Sequence, residues 1–208
     1  MTRMTWACVA AAVVIAPLVG LAESQTGTAR GRAAGAAPAA GAAPAAQRSP
    51  GAGPVIVIET VKGTIEFETY PADAPKTVEH IIALAKRNFY NGQRVHRVEP
   101  GFVIQFGDPQ SRDMTKRDRW GTQGSGRSIG VSEVKRRHGV GSLAIAHRGD
   151  PKLGDSQMYI TMSPQPRLDK NFVVFGQVIA GMDVVRKLQI GDIIRRVTVK
   201  ARASATAP

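Results

Sequence analysis

The sequence predicts a mainly β domain, in which an antiparallel sheet or barrel carries two helices as caps. Three observations support this prediction. Short apolar runs rich in valine and isoleucine recur between turn-forming residues, and only two segments show helical spacing. Strands and helices also do not alternate as they do in a parallel sheet. This pattern favours an antiparallel architecture over a doubly wound fold.

The first predicted elements are a hairpin and a helix. Residues 55–59 and 63–68 form two strand-like runs around the turn at Val61-Lys62-Gly63, and the second run alternates apolar and acidic side chains. Pro75 suits the first turn of the helix that follows. The apolar positions of this helix recur at helical spacing and are Val78, Ile82, Ala85 and Phe89.

Further strand-like runs and one short helix complete the domain. The runs cover residues 102–106, 142–146, 158–161, 172–178 and 193–199. The helix covers residues 182–188 and lies between two glycines that mark its ends. Residues 55–200 are therefore predicted to form one folded domain, which is the usual size for a single core.

Residues 1–22 are predicted to be a secretory signal peptide. Arg3 precedes an unbroken apolar run at residues 6–15, and Gly20-Leu21-Ala22 provides the small residues of a cleavage site. Cleavage would place the mature protein in the periplasm or outside the cell, with no stable membrane insertion. An uncleaved membrane anchor is the alternative, because residues 4–22 carry no charge.

Two low-complexity segments flank the domain. Residues 23–54 are predicted to be a disordered linker, because 22 of the 28 positions from 27 to 54 are Ala, Gly or Pro and none is a large apolar residue. Residues 201–208 are similar in composition and are predicted to be a disordered tail.

Composition and spacing argue against several kinds of site. Cys8 is the only cysteine, so the chain cannot form a disulfide framework or a zinc finger. The four histidines show no metal-ligand spacing, and we expect neither a metal nor another cofactor. Residues 121–128 resemble a phosphate-binding loop, but Arg127 stands where that motif requires lysine.

The formal charge of +12 requires a separate explanation. Residues 112–119 and 135–138 are strongly basic and could contact nucleic acid or an anionic surface. No aromatic residues are interleaved with these cations to form a stacking platform. Solvated basic faces are the commoner explanation, so we expect no specific nucleic-acid partner.

Residues 95–109 carry the most specific motif of the sequence, Val-His-Arg-Val-Glu-Pro-Gly-Phe-Val-Ile-Gln-Phe-Gly-Asp-Pro. This segment resembles the signature of the cyclophilins, a family of peptidyl-prolyl cis–trans isomerases, in which His-Arg is followed by Pro-Gly-Phe and Gln-x-Gly-Asp. Other segments match the family in order, so that the resemblance covers residues 55–200. These segments are residues 74–78, 121–124, 141–146, 155–160 and 168–176.

The resemblance implies a closed eight-stranded antiparallel barrel capped by two α-helices, with the substrate groove on its outer face. It also implies catalysis of rotation about X-Pro peptide bonds without a cofactor. The expected partners are proline-containing polypeptides, and we expect a monomer. Eukaryotic members carry Trp at the pocket rim where this chain has Arg167, so we expect only weak binding of cyclosporin.

The resemblance also implies roles for individual residues. Arg97 would supply the catalytic guanidinium, Gln105 would hydrogen-bond the substrate backbone, and Phe102 would face the proline. The remaining substrate-binding positions implied by the family are His96, Val103, Ala146, His147, Tyr159, Leu168 and Phe172. An arginine suits this reaction, because the amide nitrogen becomes a hydrogen-bond acceptor only when the peptide bond is twisted.

The leading hypothesis is an exported isomerase that assists the folding of other exported proteins. Two alternatives remain open at this point. The first is a non-catalytic chaperone or adaptor that binds proline-containing peptides in the same groove. The second is a basic protein that binds the cell envelope or nucleic acid on a cyclophilin scaffold.

Overall fold

A computed structural model of the protein describes residues 53–200. The predicted signal peptide, nearly all of the predicted linker and the predicted tail lie outside the described residues. Neither α-helix in the described part of the chain is long or apolar enough to cross a membrane.

The described residues contain eight β-strands and two α-helices. The strands are β1 (Val55–Thr60), β2 (Gly63–Thr69), β3 (Arg97–Glu99), β4 (Val103–Phe106), β5 (Ser142–Ile145), β6 (Met158–Thr161), β7 (Val174–Ala180) and β8 (Ile194–Lys200). The helices are α1 (Pro75–Lys86) and α2 (Met182–Lys187). Short 3₁₀ turns at Pro109–Arg112, Met114–Arg119, Pro151–Leu153 and Pro166–Leu168 occupy the connections.

All eight strands join one sheet in the order β3-β4-β6-β5-β7-β2-β1-β8, and every ladder within it is antiparallel. The predicted hairpin forms between β1 and β2. The prediction of a mainly β, antiparallel architecture with two helices is therefore confirmed.

The prediction of a closed barrel is wrong, because the sheet curls into an open half-barrel with β3 and β8 as its edges. The segments that precede these two strands meet only through one isolated bridge, between Arg94 and Ile193, and a few loop hydrogen bonds. One of these is the bond from the Val95 amide to the Asp192 carbonyl, 3.0 Å long. Turns at residues 91–92 and 190–191 lie directly beside the bridge, so the pairing does not continue as a ladder.

The two faces of β4, β5 and β6 have different roles, because successive side chains on a strand point to opposite faces. One face is part of the main hydrophobic core, which is also covered by α1. Its members on these strands include Ile104, Leu143 and Ile160, each fully buried. The other face carries a second, smaller apolar cluster. Its buried members are Tyr70, Val103, Ala144, Tyr159 and Val174.

Candidate active site

The hairpin formed by β3 and β4 places Arg97 and Gln105 on the same face of the sheet. The two residues are direct partners in the antiparallel register, and Gln105 is in turn the direct partner of Tyr159 on β6. Side chains at directly paired positions lie close together on one face. Arg97, Gln105 and Tyr159 therefore form a row across three strands, on the face that carries the second apolar cluster.

The guanidinium of Arg97 is held by neighbouring side chains. Its Nε and Nη2 atoms donate to one carboxylate oxygen of Glu99, at 2.9 and 2.5 Å, and its Nη1 atom donates to the Gln105 amide oxygen at 3.2 Å. The guanidinium carbon lies 5.7 Å from the centroid of the Phe102 ring, within the range of a cation–π contact. Each terminal nitrogen keeps one N–H group that makes none of these contacts and can face a substrate.

A pocket of about 180 Å³ lies beside this guanidinium. Every predicted site residue except His96 lines it: Arg97, Phe102, Val103, Gln105, Ala146, His147, Tyr159, Leu168 and Phe172. The lining is mainly apolar, and the polar groups of Arg97 and Gln105 lie together, joined by a hydrogen bond. This arrangement suits a small apolar side chain whose backbone remains beside these polar groups.

Aromatic rings form one wall of the pocket. Phe172 meets Tyr159 edge to face, with ring centroids 5.8 Å apart, and stacks on His147 at 4.4 Å. His147 is fixed by a hydrogen bond of 2.7 Å from its Nε2 atom to the Asn171 carbonyl. These contacts hold the ring faces in place, so the pocket is formed before a substrate arrives.

His96 does not line the pocket, although it belongs to the same motif. Its ring packs under the glycine-rich loop (residues 121–128), where a Cβ atom on Gly121 would lie 3.2 Å from the His96 Cδ2 atom. Burial lowers the pKa of His96 to about 4, and the nearby Asp108 carboxylate opposes this effect only in part. The ring is therefore neutral at physiological pH and supports the loop rather than transferring protons.

Two further polar residues complete the site, and the sequence analysis did not single them out. Gln157 accepts a hydrogen bond from the Gln105 amide at 2.8 Å and donates one to the Gln123 carbonyl at 2.7 Å. Asp108 is fully buried and accepts backbone N–H bonds from Thr122 and Gln123 at 2.9 and 3.1 Å. Both tie the glycine-rich loop to the strands that carry the pocket. In the sequence, the only sign that they contribute to the site is that both lie within segments that match the family.

The glycine-rich loop borders a second, larger depression of about 630 Å³. Gln105 and Ala146 line both spaces, so this depression continues from the pocket along the surface. It can accommodate residues of a polypeptide that flank the one in the pocket. Among residues 53–200, no group of three or more His, Cys, Asp or Glu side chains is placed to hold a metal ion.

The lowered pKa of His96 predicts that the fold loses stability in acid. An unfolded histidine takes up a proton near pH 6.5, whereas the buried ring does so only near pH 4. The contribution of His96 to the free energy of unfolding is therefore complete above about pH 6.5. It decreases by up to about 3 kcal/mol as the pH falls towards 4. Urea unfolding at neutral pH and at about pH 4.5 measures the loss. The variant His96→Gln, which cannot titrate, should show a weaker pH dependence, and an equal dependence would contradict this assignment.

Comparisons with known proteins agree with this geometry. Residues 55–205 match the family profile described as "Cyclophilin type peptidyl-prolyl cis-trans isomerase/CLD". The chain is 38% identical over 138 residues to peptidyl-prolyl cis-trans isomerase B of Bacillus subtilis, a match that covers 65% of this chain and 90% of that protein. It is 37% identical over 150 residues to a peptidyl-prolyl cis-trans isomerase of Synechococcus elongatus, covering 71% and 97% of the two chains.

The fold is also similar to solved structures. The crystal structure of a cyclophilin type peptidyl-prolyl cis-trans isomerase from Cryptosporidium parvum superposes with a TM-score of 0.63 at 24% identity, covering 73% of this chain and 99% of that one. The profile spans the eight strands, the pocket and the Arg97 motif. The chain therefore belongs to the cyclophilin-type peptidyl-prolyl cis–trans isomerases.

Proposed function

We propose that this isomerase acts on proline-containing polypeptides outside the cytoplasm, where it assists the folding of exported proteins. The observation that carries the catalytic part is the apolar pocket with the Arg97 guanidinium fixed at its edge. The observation that supports the location is the signal-like sequence of residues 1–22.

The chemistry requires little of the protein beyond positioning. Rotation about an X-Pro bond must break the amide resonance, against a barrier of about 20 kcal/mol. In the twisted state the proline nitrogen regains its lone pair and can accept a hydrogen bond. A donor that is held near this nitrogen stabilises the twisted state more than the planar ground state, and this difference lowers the barrier. Arg97 is the donor that we assign to this step.

The pocket supplies the second requirement, a fixed proline ring. When the ring is held among Phe102, Tyr159 and Leu168, the residue before the proline can turn while the ring stays in place. The Gln105 amide already bridges Arg97 and Gln157 and retains one N–H for the substrate backbone. Because no covalent intermediate or proton transfer is needed, the neutral His96 below the loop fits this mechanism.

A direct test measures cis–trans exchange of an Ala-Pro peptide with and without the protein. This probe is suitable because the Cryptosporidium parvum cyclophilin was crystallised in the presence of the dipeptide Ala-Pro. Catalysed exchange supports the isomerase, whereas binding of the peptide without acceleration supports the alternative of a non-catalytic adaptor.

The proposed location is tested separately. We expect N-terminal sequencing of the exported protein to begin near Glu23, and we expect the exported form to accelerate refolding of an exported protein limited by X-Pro isomerisation. A mature protein that retains Met1 would favour the membrane anchor.

Arg167 lies at the pocket rim, where eukaryotic members of the family carry Trp. We therefore expect weak cyclosporin binding. Its guanidinium carbon lies 4.3 Å from the centroid of the Phe102 ring, in the turn that also carries Leu168. A flexible, hydrated cation at this position offers less flat apolar surface than an indole. We expect Arg167→Trp to lower the inhibition constant for cyclosporin by about tenfold. Lys170→Trp is a matched control, because Lys170 is an exposed neighbour outside the cation–π contact that Arg167 makes with Phe102. Equal effects in both variants would contradict the rim argument.

A further inference from the structure

His138 and Asp169 form a hydrogen-bonded network with Tyr159, one of the residues that line the pocket. His138 is buried, with 2% of its surface exposed. Its Nε2 atom lies 3.0 Å from the Tyr159 hydroxyl, and its Nδ1 atom lies 3.0 Å from a carboxylate oxygen of Asp169. The His138 and Tyr159 rings are nearly parallel, at an interplanar angle of 9°.

The direction of each hydrogen bond follows from the groups involved. The Asp169 carboxylate can only accept, so the His138 Nδ1 atom carries the proton and the Nε2 atom carries the lone pair. The Tyr159 hydroxyl then donates to Nε2. Burial lowers the pKa of His138 and raises the pKa of Tyr159, so both groups are neutral, as this pattern requires.

The network joins three separate segments of the chain around the pocket. Tyr159 lies on β6 and lines the pocket, and Asp169 directly follows Leu168, which lines it as well. His138 comes from the irregular segment before β5, and its backbone amide also donates to Asp169, at 2.7 Å. Its carbonyl accepts from the Gln165 amide at 2.9 Å. His138 therefore links Tyr159 on β6 to the turn that carries Leu168.

We propose that His138 is a positioning residue of the isomerase site, which holds the Tyr159 hydroxyl away from the pocket so that only the phenol ring faces the substrate. The proposal rests on the proposed use of this pocket by proline. A buried hydroxyl without a partner is unfavourable. Without His138, the Tyr159 ring must therefore tilt until its hydroxyl reaches water or another acceptor, and this movement deforms the pocket.

The test compares two substitutions of similar length at position 138. Methionine removes both hydrogen bonds, whereas glutamine can accept from Tyr159 and donate to Asp169. We expect His138→Met to raise KM for a proline peptide about tenfold with a much smaller change in kcat, because the pocket binds the proline ring in the ground state and in the transition state alike. We expect His138→Gln to recover most of this loss.

A double-mutant cycle separates positioning from a general structural role. In a Tyr159→Phe background no hydroxyl needs a partner, so His138→Met should change KM by less than about twofold relative to Tyr159→Phe alone. An equal KM increase in both backgrounds would overturn the proposal, as would a normal KM in the single variant. If His138→Met does not fold, recovery of folding and KM in the double variant supports the proposal, and failure to recover contradicts it.

The wild-type measurement distinguishes this proposal from the one on which it rests. A wild-type protein that neither catalyses exchange nor binds an Ala-Pro peptide would overturn both. An active wild-type protein with an unaffected His138→Met variant would overturn the positioning role alone.

Discussion

Replacing Arg97 with alanine is expected to lower kcat/KM for an X-Pro peptide by about 100-fold or somewhat less, while the protein remains folded. Removing one fixed donor to a developing charge in a hydrolase lowers the rate by about 10²–10³-fold. The twisted amide nitrogen gains less charge than an oxyanion, so the effect here lies at the lower end. The Arg97 side chain is about half exposed, so its loss leaves no cavity in the core.

The sheet offers a matched control for this substitution. Arg196 is also an exposed strand arginine that donates twice to one glutamate, Glu59, but it lies on β8, away from the pocket. Arg196→Ala should leave exchange rates unchanged. The variant Arg97→Lys should remain strongly impaired, because an ammonium cannot reproduce the planar donor geometry. Near-normal catalysis by a folded Arg97→Ala protein would remove Arg97 from the mechanism.

Replacing Gly107 with alanine is expected to destabilise the fold by about 3 kcal/mol or more. Gly107 has a φ of +110°, a conformation that side chains rarely adopt. A Cβ atom there would also meet backbone, since the Gln157 Cα atom would be only 2.7 Å away and the Ser156 carbonyl closer still. Backbone of the segment leading into β6 cannot move aside without disturbing the buried hydrogen bond from the Ser156 hydroxyl to the Gly107 carbonyl, 2.8 Å long.

Gly130→Ala isolates the conformational part of this effect. Gly130 has a φ of +82°, and no heavy atom would lie within 4 Å of an added Cβ atom. We expect Gly130→Ala to lower the free energy of unfolding by only about 1 kcal/mol, which is the cost of the left-handed conformation alone. Urea unfolding of the two variants gives the difference. Equal losses would show that the close approach at Gly107 is relieved by local movement.

The site was predictable where its residues share one motif. Arg97, Phe102 and Gln105 lie in one short motif, and the family resemblance implied their roles. The structure adds that Arg97 and Gln105 are direct partners across β3 and β4, although β3 was not among the predicted strands. Phe172 was expected in a strand, but β7 begins only at Val174, and the Phe172 amide bonds the Leu168 carbonyl instead. That turn brings Phe172 to the pocket wall.

The rest of the site depends on contacts that no local pattern shows. His138 lies 21 residues from Tyr159 and 31 from Asp169, and it was seen only as part of a basic run. His138 lies in an irregular segment and is buried by residues distant in sequence, so no helical or strand periodicity indicates its burial. The open edge of the half-barrel escaped prediction for a similar reason, since only the single bridge between Arg94 and Ile193 forms where a closed barrel would need a ladder.

The position of β3 at this open edge has a consequence for motion. β3 is three residues long and pairs only with β4, so its ladder can open by breaking the hydrogen bonds to a single neighbouring strand. Local openings of this kind need less free energy than global unfolding. Amide hydrogens of β3 should therefore exchange with solvent sooner than those of β5, which is paired on both sides. The strand that carries the catalytic donor is thus expected to open locally more often than the strands at the centre of the sheet.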